Sequence, residues 1–138
     1  ISYSTISSTG NASDFGDLTV ARSAAATTGS STRGVFMGGY VPSPANRTNV
    51  MDYITIASTG NATDFGDLLA DGGLAYGAGA SNSVRGIFMG GEIASAPYNS
   101  SKIQYITIAS TGNSANFGDI DSMGQYAGSC SNGHGGLS

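Results

Sequence analysis

At 138 residues and a formal net charge of −4, with only 10% of residues charged, the chain has room for one domain with a modest core. That balance holds nothing to neutralise phosphates or anionic head groups, which speaks against nucleic acid and acidic membrane surfaces as partners, and no apolar run approaches a bilayer span. The 22 glycines, set among abundant Ser, Thr and Asn, argue against long helices and for thin strands joined by tight turns.

The chain opens on Ile1 rather than Met, the mark of a processed chain or of a piece of a longer one. Tyr3-Ser4-Thr5-Ile6-Ser7 alternates two sets of side chains, which predicts a strand. Ser8-Thr9-Gly10-Asn11 is turn chemistry, because Gly and Asn accept positive φ and Asn or Ser can bond local backbone. Asp14-Phe15-Gly16-Asp17-Leu18 starts the next strand, and a weaker one is expected at Ala24 to Thr28. Arg33-Gly34-Val35-Phe36-Met37-Gly38-Gly39 is an almost wholly apolar run bounded by glycines, which predicts an inner strand buried on both faces. A loop from Tyr40 to Asn49 follows.

The same order then returns. Tyr53-Ile54-Thr55-Ile56-Ala57-Ser58-Thr59-Gly60-Asn61 leads into Asp64-Phe65-Gly66-Asp67-Leu68, a weak strand near Leu74 to Ala78, and Arg85-Gly86-Ile87-Phe88-Met89-Gly90-Gly91. A different loop, Glu92 to Lys102, intervenes before Tyr105-Ile106-Thr107-Ile108-Ala109-Ser110-Thr111-Gly112-Asn113 and Asn116-Phe117-Gly118-Asp119-Ile120. The third copy has its weak strand near Tyr126 to Ser129 and stops before completing the Gly-Gly phrase. Tyr3, Tyr53 and Tyr105 recur at intervals of 50 and 52 residues. One repeat domain, 1–138, is expected, divided at about 1–50, 51–102 and 103–138, with about four strands per unit.

A unit of that size cannot bury both of its faces alone, so copies must shield one another. The fold class expected is all-β, with the units stacked as β-propeller blades; a β-trefoil, which also has three copies of four strands, is the alternative. The order of features resembles the kelch repeat. Gly38-Gly39 and Gly90-Gly91 close an apolar strand, a variable loop follows, Tyr53 and Tyr105 open the next strand, and Phe15, Phe65 and Phe117 stand where kelch units usually place Trp. Arg22 takes the later Arg position in the first copy, where Gly72 and Gly124 stand in the others.

The phrases around Tyr53 to Leu68, Arg33 to Gly39 and Ser131 to Leu137 are similar to kelch-like repeat virion and tail-fibre proteins of cyanophages and other aquatic tailed phages. The resemblance implies blade packing, a structural role in a virion appendage or extracellular filament, and a virion or extracellular location. Its partners would be the chain itself, as homo-oligomer or filament, or other virion proteins. Three copies are fewer than the roughly four to eight blades of a closed ring. The opening strands, Ile1 to Leu18, and the last strand, near Tyr126 to Ser138, are therefore expected to complete a blade together, within one chain or across two. Two chains would then close a ring of about six blades, and unclosed ends would propagate a filament.

Side chains that carry chemistry are sparse. His134 is the only histidine and lies in a Gly-rich run, so one chain cannot assemble a His-based triad or a multi-histidine metal site. Cys130 is the only cysteine, which rules out an internal disulfide, and no base accompanies it. The chain is expected not to be an enzyme and to need no cofactor. Asn11, Asp14 and Asp17 gather oxygens on one loop, open to two readings: turn bonding to local amides, or a Ca2+ site. Arg33 and Arg85 precede the apolar strand at equivalent points and are expected to bond loop carbonyls. Asn11, Asn46, Asn61 and Asn99 each begin an Asn-x-Ser/Thr triplet, a glycosylation acceptor pattern.

Two functions compete. In one, the repeats supply a rigid self-associating shaft or tip. In the other, the loops that differ between copies present Tyr40, Asn46, Glu92, Tyr98 and Asn99 to a cell-surface glycan, as expected where binding is grafted onto loops of a constant scaffold.

Overall fold

The computed structural model of the chain describes residues 1–42, 45–69, 73–95 and 97–131. Among them it is all-β, with no helix and every strand pairing antiparallel. Strands β1 (Ser2–Tyr3) and β2 (Ser13–Asp14) form a two-stranded sheet. β3 (Ala26–Gly29), β4 (Arg33–Met37), β7 (Val50–Thr55) and β8 (Thr63–Asp67) form a four-stranded sheet in that order, and β5 (Tyr40–Pro42) and β6 (Ala45–Arg47) make a separate hairpin between β4 and β7. β9 (Ala78–Ser81), β10 (Arg85–Met89), β11 (Lys102–Thr107) and β12 (Ala115–Asp119) repeat the four-stranded sheet.

Several sequence expectations shift. The tyrosine strand begins before Tyr53 and ends at Thr55, so Ile56 and Ala57 belong to the turn, as do Ile108 and Ala109 in the next copy. In the first copy the same strand shrinks to Ser2–Tyr3, because among the described residues no strand equivalent to β4 lies beside β1 to extend the ladder. The weak strands exist at Ala26–Gly29 and Ala78–Ser81, later than expected, each at the edge of its sheet. Tyr126 to Ser129 forms no strand; it follows β9 through single bonds, the Tyr126 amide to the Tyr76 carbonyl and the Ser129 hydroxyl to the Gly79 carbonyl. His134 lies outside the described residues, as do Asn132 to Ser138 generally and Gly72.

The Asp-Phe-Gly-Asp phrase is a β-bulge. Met51 pairs with Gly66 and Asp52 with Asp64, so Phe65 is the extra residue; Phe117 is extra in the same way between Asn116 and Gly118. Each bulge carries its ring onto the tyrosine of the neighbouring strand, edge to face. The centroid distances are 5.9 Å for Tyr3 and Phe15, 6.0 Å for Tyr53 and Phe65, and 6.1 Å for Tyr105 and Phe117. Arg33 lies over the Tyr53 ring at 4.5 Å and Arg85 over the Tyr105 ring at 4.9 Å.

The core lies between the two four-stranded sheets and gathers Val35, Met37 and Met51 from one with Phe88 and Ile106 from the other, joined by Phe65, Leu68, Leu74 and Ile108. Its position corrects the expectation that the apolar strand is buried on both faces. In β4 the buried residues are Val35 and Met37, whereas in β10 they are Gly86 and Phe88, one position out of phase. Side chains alternate across a strand, so the two strands bury opposite faces. Each buries the face that looks at the other sheet, and Phe36, Ile87 and Met89 on the outer faces stay half-buried.

Candidate functional site

Both four-stranded sheets turn at one end through Gly38-Gly39 and Gly90-Gly91. These glycines hold φ of +62°, +125°, +65° and +101°, which side chains rarely tolerate. A Cβ on Gly38 would lie 2.4 Å from the Leu74 carbonyl oxygen, and one on Gly90 2.8 Å from that of Gly124. The pairs are thus points where segments crowd.

The loops that differ between copies leave from here. Tyr40 opens β5 and exchanges backbone bonds with Ser23 at 3.0 and 2.7 Å. Glu92, at the equivalent point, does the same with Ala75 and also bridges Asn99. Arg47, on β6, reaches from the first loop to the Glu92 carboxylate and ties the two loops together. Of the residues expected to bind, Tyr98 is well exposed and holds a left-handed φ of +65°. Asn46 is exposed, with its Oδ1 accepting the Arg47 amide at 2.9 Å. Tyr40 and Glu92 are half-buried, and the buried Asn99 Oδ1 has no partner among the described residues. The five therefore share one end of the sheets, but backbone pairing occupies Tyr40 and Glu92, and only Tyr98 and Asn46 stand open.

Sequence reasoning missed Arg47, although it lies inside the loop already singled out and Glu92, the only glutamate of the chain, lies in the other. It also missed Tyr76 and Tyr126. With Ala24 they occupy one repeat position, and all three are left-handed, at φ +54°, +60° and +56°. The Tyr76 amide donates to the Ala24 carbonyl at 3.0 Å and the Tyr126 amide to the Tyr76 carbonyl at 2.8 Å, a ladder that passes from unit to unit. The rings of Tyr76 and Tyr126 lie 4.7 Å apart.

The opposite end carries the Ser-Thr-Gly-Asn turns, and they build the contact between units. The Gly60 amide donates to the Phe15 carbonyl at 2.7 Å, Ala62 to Asp17 at 2.8 Å, and Asn61 Oδ1 accepts the Asp17 amide at 3.0 Å. One unit later Gly112 donates to Phe65 at 2.7 Å, Ser114 to Asp67 at 2.9 Å, and Asn113 accepts from Asp67 at 3.0 Å. The turn oxygens of Asn61 and Asn113 thus serve the neighbouring sheet, and among the described residues no three acidic, His or Cys side chains gather as a metal would need. Of the Asn-x-Ser/Thr residues, Asn11 and Asn61 are exposed and Asn99 is half-buried. Arg33 Nη1 donates to the Ile108 carbonyl at 3.0 Å, the loop-carbonyl bond expected of it, whereas Arg85 is exposed and its guanidinium, among the described residues, stacks on Tyr105 without such a carbonyl. Cys130 is exposed and lines a cleft of about 550 Å³ with Arg85, Ile87 and Phe117.

No family model matches the chain and no curated protein matches it. Solved structures do. One, titled "Structure of YjhT", superposes with a TM-score of 0.66 at 14% identity, over 81% of this chain and 36% of that one. At that identity the likeness is one of fold alone. The chain spans about a third of the length of that structure.

Proposed function

We propose that the chain is a non-enzymatic structural protein whose repeats pack as propeller-like blades, in the manner of kelch-like virion and tail-fibre proteins, within a virion appendage or extracellular filament. The observation that carries this reading is the inter-unit contact made twice with the same residue types at the same distance, Asn61 on Asp17 and Asn113 on Asp67, each at 3.0 Å. A turn contact that recurs from unit to unit is what a building block requires. The meander order of each four-stranded sheet supports blades over the trefoil alternative. Electron microscopy of the purified chain tests the reading: ordered rings or filaments without any ligand are expected, and dispersed monomers at every concentration would remove it.

A second reading is favoured by exposed Tyr98 and Asn46 beside the Arg47–Glu92 link, a rigid platform with an open aromatic ring. Here the loop end binds a cell-surface carbohydrate. Glycan-array binding that Tyr98→Ala abolishes is expected; no binding to any glycan removes this reading.

A further inference from the structure

The contact between units has two halves, a donor turn and an acceptor strand, and the described residues show one unused example of each. Gly10-Asn11 is the first-copy version of the turn, and the following Ala12 is exposed, whereas its counterparts Ala62 and Ser114 keep only 9% and 5% of their exposure. Phe117-Gly118-Asp119 is the third-copy version of the strand, and a Cβ on Gly118 would meet open space, whereas Gly16 and Gly66 lie under the turns of the next units, with Gly60 and Gly112 atoms at 2.3 and 2.5 Å from their would-be Cβ.

The apolar residues of the contact follow the same pattern. Phe15 and Phe65 are covered by the next turn and keep 8% and 2% of their exposure, while uncovered Phe117 has 55%. The turn isoleucine grades from Ile108, at 1% against a full four-stranded neighbour, through Ile56, at 48% against a two-stranded one, to Ile6 at 101%. Arg33 has the Ile108 carbonyl, and Arg85 has no equivalent acceptor among the described residues. The outer faces of Ile87 and Met89 are half-buried beside the cleft that Arg85 and Phe117 line.

We propose that the Asn11 turn of one copy of this chain docks on the Phe117–Asp119 strand of a second copy, reproducing between chains the contact already made twice within each. The occupant follows from continuity with that internal contact, since the same residue types stand at the same positions in both halves. Gly10 donates to the Phe117 carbonyl, Ala12 to the Asp119 carbonyl, and Asn11 Oδ1 takes the Asp119 amide. Ile6 enters the cleft and offers its carbonyl to Arg85. The contact is head-to-tail, so it closes into a ring or propagates as a filament according to the rotation between copies. It rests on the structural reading above and gives that reading an address.

The test uses the full chain in a Cys130→Ser background. Chains carrying only Asn11→Cys are mixed with chains carrying only Asp119→Cys, and Asp67→Cys with Asn113→Cys in one chain serves as the internal control. Disulfide-linked pairs in the mixture, and none from either single variant alone, are expected. Ile6→Glu is the second arm: because Ile6 touches nothing in the isolated chain, its unfolding midpoint should stay unchanged while association weakens by at least about tenfold. A control disulfide that closes while the mixture stays unlinked overturns the proposal, as does Ile6→Glu assembling as tightly as the parent. If ordered assemblies form in that event, the structural reading stands and only this contact falls. If the chain stays monomeric throughout, both fall.

Discussion

Arg22 and Asp52 face one another at 2.9 Å with neither side chain reaching solvent. Asp52 also accepts the Thr19 hydroxyl at 2.6 Å and the Thr19 amide at 3.2 Å. Burial holds the Arg22 guanidinium below its ordinary pKa, and the charge of Asp52 and its hydrogen bond oppose that shift. One unit later the ion pair is gone: Leu74, two residues before Tyr76 as Arg22 is two before Ala24, stands at the arginine position in place of the expected Gly72, and Gln104 replaces the aspartate, its Oε1 accepting the Leu69 amide and the Ser114 hydroxyl, each at 2.7 Å. One interface is thus charged and the next neutral, with the same strands and the same backbone donor. Breaking a buried pair strands the surviving charge, which costs far more than replacing both partners. Asp52→Asn should therefore destabilise by about 3–5 kcal/mol, and adding Arg22→Leu should recover a large part of it. Urea unfolding of both single variants and the double variant closes the cycle.

Phe36 and Phe88 occupy one repeat position on opposite sides of the burial pattern. Phe88→Ala empties the shared core and should cost about 3–5 kcal/mol. Phe36→Ala removes a half-buried ring and should cost well under that, a difference readable from two unfolding curves under conditions where the chain is monomeric.

Gly66 holds φ +137°, and a Cβ there would sit 2.5 Å from the backbone of Gly112. Gly66→Ala should lower stability by about 1–3 kcal/mol through strain and displacement of the turn. Gly10→Ala, in open space, should stay within about 0.5 kcal/mol of the parent. Thermal unfolding of the pair compares a glycine held under a neighbouring turn with one in open space.

The Arg47–Glu92 link is partly open to water. Glu92→Gln should cost about 0.2–1 kcal/mol at low salt and less at high salt, since screening weakens such pairs. Denaturation at both ionic strengths checks this.

Asp119 accepts Lys102 Nζ at 2.9 Å and the Ser101 hydroxyl at 3.1 Å, and these bonds, with Lys102 first, hold its carboxyl below the usual range. A carboxyl depressed in the folded state stabilises above its unfolded pKa, and that contribution is lost as pH falls through the folded value. An NMR titration should place Asp119 below its unfolded counterpart, and Lys102→Met should move it upward.

What the sequence determined by itself was everything local and periodic. The three copies and the Ser-Thr-Gly-Asn turns could be read because each needs only neighbours in the chain, and Gly at positive φ has few other uses. Even the Tyr–Phe partnership was visible as a repeated pair of positions. The tertiary structure alone decided which face of each apolar strand is covered, since alternation in Val35-Phe36-Met37 is masked when every residue is apolar. It also decided the Arg22–Asp52 and Arg47–Glu92 partnerships, which join residues 30 and 45 positions apart, and the open end of the repeat at Phe117. Long-range pairing depends on how one sheet rests against the next, and no spacing within a single unit encodes that.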